Sequence, residues 1–165
     1  MLPSEMPSTF DAEALKAQAV CARTFVYSQM KNTQYALYGA NIDNTTAFQV
    51  YNASETKQST DEAVKATAGQ VVSCGGNLIT CYYFSTSAGK TEDMEVWSSS
   101  TPDFIHKVES VDDNSPYYRW TSELDLSAYN DPQYGTATGI SVDKTSDAGY
   151  VLSLTINYGN KSQTF

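Results

Sequence analysis

The chain has 165 residues and a mass of 18.1 kDa, enough for one domain with at most a small appendage, which excludes two independent catalytic domains. Ten Lys and Arg against nineteen Asp and Glu leave a net charge of −9 and a pI near 4.4, so a nucleic-acid backbone or an anionic membrane surface meets no basic footprint. With 41% hydrophobic and only 18% charged residues, the composition is that of a folded domain drawing its polarity from Ser, Thr, Asn and Tyr, a style common in secreted bacterial proteins.

No apolar run approaches the roughly 18 residues needed to span a bilayer, and Met1-Leu2-Pro3-Ser4-Glu5 has neither a basic n-region nor an apolar h-region. Any export signal or anchor is therefore expected outside this chain. Ala12, Leu15, Ala19, Ala22, Val26 and Met30 recur at three- and four-residue spacing, which predicts a helix over residues 11–30 with a small apolar face, capped by Asp11 or Ser8. Residues 35–55 read as a loop with Phe48-Gln49-Val50-Tyr51 extended. Ser59-Thr60-Asp61-Glu62 forms a capping box that opens a helix over residues 63–68, closed by Gly69 in the left-handed region.

Residues 70–74 and 78–85 are predicted to pair as a hairpin about Gly75-Gly76. The polar stretch 85–92 suits close approach by a ligand, and Val96-Trp97 returns the chain to apolar surroundings. Strands are expected over residues 105–111, 121–126, 140–142 and 150–158, the last two joined by Asp147-Ala148-Gly149. The fold class is α+β: a long N-terminal helix packed on a mixed, mainly antiparallel sheet, with a β-rich C-terminal part.

Few residues offer chemistry. His106 is the single histidine and reads as a half-buried strand residue without a nucleophile elbow or local acid partner. Zinc needs close groups of Cys, His or carboxylate ligands, which three separated cysteines do not supply. Cys21 reads as a small buried helix residue. A turn at Gly75-Gly76 would set Cys74 opposite a residue near Asn77 or Ile79, so a 74–81 disulfide is not expected. Ser87-Ala88-Gly89-Lys90-Thr91 lacks the first glycine of a phosphate loop. Carboxylates remain, the natural acid and base groups of glycoside chemistry. Glu5 stands out because Pro3 and Pro7 fix the backbone around it, and partial burial against Met6 and Phe10 would keep it protonated as an acid. The simpler alternative is a solvated carboxylate near a helix N-terminus.

The run Leu2-Pro3-Ser4-Glu5-Met6-Pro7, continuing through Ala19-Val20-Cys21-Ala22-Arg23-Thr24-Phe25, resembles the signature of the stage II sporulation protein D / LytB family (SpoIID domain). Gln49-Val50-Tyr51, Gln70-Val71-Val72 and the helix before it, and Tyr83-Phe84-Ser85-Thr86-Ser87-Ala88-Gly89-Lys90-Thr91-Glu92 resemble further family segments in order. So do Val96-Trp97 and Ser115-Pro116-Tyr117-Tyr118-Arg119-Trp120. The likeness is close over residues 2–120 and weak beyond.

It implies a peptidoglycan lytic transglycosylase that cleaves between N-acetylmuramic acid and N-acetylglucosamine without water, leaving an anhydro-muramic end and preferring glycan stripped of its peptides. The family's catalytic glutamate maps onto Glu5, first acid to the glycosidic oxygen and then base to the muramic hydroxyl. Arg23 matches the helix arginine, with a lactyl carboxylate, or Glu5 itself, as its implied partner and a helix-surface ion pair as the plain alternative. Tyr117 and Arg119 match a Tyr-x-basic pair suited to sugar stacking and anion binding. Gln49, Ser85, Ser87, Thr91 and Glu92 would give cleft hydrogen bonds, although turn capping accounts for the Ser and Thr residues equally well.

The zinc site of some sporulation members has no counterpart, since residues 40–48 lack Cys and His, so no metal or other cofactor is expected. The implied organisation is a catalytic core over residues 1–116 and a β-rich part over 117–165 that completes the cleft and stops short of the family's usual C-terminal segment. Implied partners are peptidoglycan glycan strands and a cell-wall amidase, and the implied location is extracellular or in the bacterial envelope. The competing reading is a non-catalytic wall module that binds glycan or modulates an amidase, for which Glu5 is dispensable.

Overall fold

A computed structural model describes residues 1–53, 55–96, 98 and 100–165. Ser54, Trp97 and Ser99 lie outside the described residues, and the apolar return expected at Trp97 with them. The chain divides into two compact units, Met1–Tyr83 and Phe84–Phe165. No described helix is long and apolar enough to cross a membrane.

The N-terminal unit holds helices α1 (Leu2–Glu5), α2 (Ala12–Ser28) and α3 (Gln58–Ala66) and a hairpin of β1 (Ser73–Cys74) and β2 (Asn77–Leu78). Helix α2 starts where the Asp11 carboxylate accepts the Glu13 N–H at 3.0 Å, satisfying one of the donors a helix start leaves unpaired. Its buried side carries Leu15, Gln18, Ala19, Ala22 and Thr24. Leu15 and Ala19 form one cluster with Leu2 and Ala63, with Met6 packed against it. The small residues let α3 approach closely, and burying Leu15 is worth roughly 2–3 kcal/mol. The helix stops short of Met30, which is 57% exposed and takes no part in the buried stripe.

Helix α3 begins a turn earlier than the capping box predicts. Lys57 occupies the cap position without a side-chain bond. The hydroxyls of the box have other acceptors: Ser59 donates to the Ser8 carbonyl at 2.7 Å and Thr60 to the Lys57 carbonyl at 2.8 Å. Gly75 and Gly76 both take positive φ, at 56° and 79°, giving a two-residue turn whose twist matches the strands. Cys74 faces Asn77 and Ser73 faces Leu78. The ladder is shorter than the sequence suggests because the next N–H, of Val72, is taken by the Thr24 hydroxyl of α2 at 2.9 Å.

The C-terminal unit is built on an antiparallel sheet ordered β3 (Gly139–Thr145), β4 (Val151–Asn157) and β5 (Ser162–Thr164). Ile140 faces Ile156, and the register shifts at Val142/Lys144 and Lys144/Thr145. The core beneath is Ala137, Ile156 and Tyr158, with Leu126, Tyr134, Ile140 and Leu154 against it. The rings of Tyr134 and Tyr158 are 5.4 Å apart.

Two predicted strands do not form. Residues 105–111 contribute one bridge, Glu109 to Lys90, and residues 121–125 form no strand before a 3-10 turn at Leu126–Tyr129 capped by Asp125. Their apolar residues Val108, Val111 and Leu124 are exposed, so the alternation has no core to face. Strand β5, of sequence Ser-Gln-Thr, pairs with β4 without contributing an apolar residue. The whole is α+β, with N-terminal helices and a β-rich C-terminal part, and every strand pair among the described residues is antiparallel, as the sequence pattern predicts.

Candidate functional site

Glu5 is the last residue of α1, whose first turn contains Pro3, a position where a missing N–H costs nothing. Its carboxylate Oε1 accepts the backbone N–H of Val50, which comes from the loop between α2 and α3. That loop is fixed by polar anchors. Asn41 donates to the carbonyls of Met30 and Asn32 at 2.9 and 3.0 Å, and the Tyr35 hydroxyl donates to Asp43 at 2.5 Å. Gln49, only 1% exposed, donates from Nε2 to the Ala22 carbonyl of α2 at 3.2 Å. The backbone donor that holds Glu5 is therefore tied to the longest helix one residue away.

The second neighbour of Glu5 is Tyr83, which the sequence reading does not single out as a site residue. Its hydroxyl contacts both Glu5 and Gln49. Burial, then the negative charge of Glu5, push that hydroxyl up to about 12, against a smaller opposing pull from Gln49. Tyr83 is therefore a neutral phenol at any physiological pH and a hydrogen-bond donor to the carboxylate. Among the described residues no Lys or Arg forms an ion pair with Glu5. Met6 packs into the Leu15 cluster, whereas Phe10 is 52% exposed, so of the two side chains expected to bury Glu5 only Met6 is placed in a core. The one signal for Tyr83 in the sequence is its position at the head of the Tyr83-Phe84-Ser85 segment.

Arg23 is committed elsewhere in the N-terminal unit. Its Nη1 donates to the carbonyls of Thr67 and Gln70, both at 2.8 Å, and Nη2 reaches the Val64 carbonyl and the Thr67 hydroxyl at 3.3 Å. These acceptors lie in the last turn of α3 and just after it, where a cation also meets the negative end of the helix dipole. The ion-pair alternative is replaced by a carbonyl cap.

In the C-terminal unit three of the six expected ligand-binding side chains, Ser87, Thr91 and Glu92, are bonded to other residues of the unit. Ser87, 4% exposed, gives its backbone N–H and its hydroxyl to the Asp112 carboxylate at 2.7 and 2.5 Å, and Ser110 adds a third donor at 2.8 Å. Those donors hold the Asp112 carboxyl below its ordinary range, the Ser87 hydroxyl most of all. Thr91 takes the Val108 N–H on its hydroxyl at 2.9 Å. The Glu92 side chain, 2% exposed, pairs with Lys107 at 2.7 Å. The hydrogen bond from Lys107 is the main cause of its lowered pKa, with Ser146 second. Ser85, Tyr117 and Arg119 remain on the surface, Tyr117 at 69% exposure. The Arg119 guanidinium lies 5.7 Å from the centre of the Tyr118 ring, and the Tyr118 hydroxyl would stand 3.1 Å from a Cβ built on Gly89. His106 is exposed rather than half-buried. Among the described residues no three His, Cys, Asp or Glu side chains are grouped to hold a metal ion.

Thus the structure brings Glu5, Gln49 and the unforeseen Tyr83 together, and gives Arg23 to the end of α3. It joins Ser87 to Asp112, Thr91 to Val108 and Glu92 to Lys107.

Residues 1–73 match the family model described as SpoIID, stage II sporulation protein. The amidase enhancer of Bacillus subtilis (strain 168) is 43% identical over 125 residues, covering 75% of this chain and 16% of that protein. The stage II sporulation protein D of the same organism is 33% identical over 171 residues, covering 94% of this chain and 48% of its own length. Its counterpart in Bacillus amyloliquefaciens is 30% identical with the same coverage. The chain thus spans half or less of the length of these relatives.

Proposed function

We propose that this chain, homologous to the SpoIID and amidase-enhancer proteins, acts on the peptidoglycan of the bacterial envelope as a lytic transglycosylase with Glu5 as its acid and base. The observation that carries the reading is the setting of Glu5, in a Glu-Met-Pro motif, held by the Val50 N–H and the neutral Tyr83 hydroxyl with no cation paired to it among the described residues. A carboxyl group so placed can give its proton to the glycosidic oxygen between N-acetylmuramic acid and N-acetylglucosamine as that bond breaks. The carboxylate then takes the proton of the muramic C6 hydroxyl, whose oxygen closes onto C1 as the anhydro ring forms. The proton returns to Glu5, no water is consumed, and one carboxyl group suffices where hydrolases use two.

Tyr83 and Val50 keep the carboxylate in one orientation through both steps, since proton transfer demands alignment within hydrogen-bond distance. Exposed Tyr117 and Arg119 are suited to stacking on a sugar ring and binding a muramic carboxylate. Peptide-stripped glycan is the proposed substrate, and no cofactor is invoked.

The test is mass spectrometry of fragments released from amidase-treated peptidoglycan. The parent chain is expected to yield anhydro-muramic ends and Glu5→Gln to lose at least ~10²-fold of them. Equal yields from both would remove Glu5 from the chemistry. A second reading, modulation of a cell-wall amidase, is favoured by the 43% identity to an amidase enhancer. It predicts that Glu5→Gln stimulates a purified amidase as well as the parent does.

A further inference from the structure

The three cysteines occupy different surroundings: Cys74 is exposed, Cys21 half-buried and Cys81 buried. Cys21 and Thr24 lie one turn apart on α2 and face the same way. Thr24, 0% exposed, donates its hydroxyl hydrogen to the Val20 carbonyl at 2.7 Å and accepts the Val72 N–H at 2.9 Å, so the strand leading into β1 is bonded to the helix at this turn. The hairpin then brings the chain back, with the Ile79 N–H 3.5 Å from the Val72 carbonyl. Two residues further on, buried Cys81 comes near enough to Cys21 and Thr24 for both to act on its thiol. Cys74, opposite Asn77 at the far end of the hairpin, is out of this arrangement.

We infer that Cys21 and Cys81 form a dithiol site that closes to a disulfide, joining α2 to the segment that carries Tyr83. The bonded path from Thr24 through Val72 to Ile79 returns Cys81 to the turn of α2 that carries Cys21, and closeness of the two residues is the first geometric demand on such a bond. The oxidant is a donor disulfide. Half-buried Cys21, as thiolate, attacks one donor sulfur, forms a mixed disulfide and releases one donor thiolate. Cys81 then attacks the Cys21 sulfur and releases the second. Two protein thiols are oxidised, one donor disulfide is reduced to two thiols, and the two protons from Cys21 and Cys81 end on those thiols. Burial, then Cys21 beside it, push the Cys81 thiol up to about 11, so its attack in the second step is slow at neutral pH and closure speeds up as pH rises. The bond would tie residues 79–83 to α2 two residues from Tyr83 and hold its hydroxyl against Glu5. The inference does not rest on the glycan-cleaving reading.

The experiment uses the whole chain with glutathione disulfide as the donor at mildly alkaline pH, quenched by N-ethylmaleimide in denaturant. The expected product has lost two hydrogen atoms and carries one maleimide, on Cys74, and its peptide map joins Cys21 to Cys81. Cys74→Ser is expected to form the same link and Cys21→Ser none. All helices of eight residues or more among those described lie in Met1–Tyr83, so circular dichroism at 222 nm follows that unit. Its thermal midpoint should rise by roughly 5–15 °C on closure and return with dithiothreitol. Three maleimides after oxidation, a stable glutathione adduct on Cys21, a link through Cys74 or a fall in the midpoint would each overturn the assignment.

Discussion

The N-terminal unit carries five Lys and Arg against seven Asp and Glu, and the C-terminal unit five against twelve, so their net charges are −2 and −7. Each unit also holds one carboxylate that the sequence offers for glycan recognition, and the two are treated in opposite ways. Glu5 is held by a backbone N–H and a neutral phenol, whereas Glu92 is buried against an ammonium. A carboxylate held by neutral donors can exchange a proton without losing an ion-pair partner. One locked to a lysine is held as an anion, because protonation would give up a charge-assisted hydrogen bond at a buried carboxylate. The difference teaches that the number of candidate acids matters less than the kind of partner each one has.

That contrast can be broken at three points. Leu15→Ala should have the largest effect, about 2–5 kcal/mol, since Leu15 is 1% exposed at the centre of the N-terminal cluster. The loss is read at 222 nm, while both tryptophans lie in Phe84–Phe165 and report the other unit by fluorescence. If the two signals shift together, the units unfold as one and their cores are not separate. Next, Arg23→Gln should cost about 1.5–3 kcal/mol in urea unfolding at 222 nm, with Arg23→Lys a poor rescue, because one ammonium cannot span the acceptors that the guanidinium holds. Undiminished stability with weakened wall binding would instead assign Arg23 to substrate.

The smallest effect concerns acid. Lys107 holds Glu92, and Ser87 holds Asp112, below the ordinary carboxylate range, and Ser127 does the same for Asp125. In the N-terminal unit Asp43 is lowered through Tyr35. Folded values below unfolded ones contribute stability that is fully present above the ordinary carboxylate pKa of about 4 and is lost as pH falls through the lowered values. The tryptophan-detected urea midpoint should therefore be flat from pH 7 to about 5 and decline below about 4, more steeply than the midpoint at 222 nm. Glu92→Gln should flatten that decline. A steeper loss at 222 nm would reverse the comparison.

Much of the fold was legible because burial is written periodically. Leu15, Ala19 and Ala22 mark the inner side of α2 by spacing alone, and Gly75-Gly76 marks a turn that few other pairs can make. Where the reading failed, a tertiary partner decided. Ser59 reads as a cap but bonds to Ser8, and Val72 reads as hairpin but bonds to Thr24. In the alternation over residues 105–111 and 121–126, Val108, Val111 and Leu124 stay exposed while Leu126 packs on the C-terminal core from a 3-10 turn, and β5 pairs through its backbone without any apolar residue. At the candidate site, Glu5 and Gln49 were legible from their motifs. Tyr83 was not, because nothing local to it reveals that the chain brings its phenol back across 78 residues to Glu5. Ser87 and Glu92 carry the right chemistry for sugars, and only the positions of Asp112 and Lys107 reveal that their polar groups are already engaged.

Gly89 bears on the surface segment that carries Tyr117 and Arg119. It has φ +98°, and the Tyr118 hydroxyl would lie 3.1 Å from any Cβ placed there, while Arg119 rests over the same Tyr118 ring. The absent side chain acts as a spacer gauge: it sets how deeply Tyr118 seats, and through that ring the height at which Arg119 is presented. The reach of that cation is thus adjustable from a loop 30 residues earlier in the chain, without altering any charged residue.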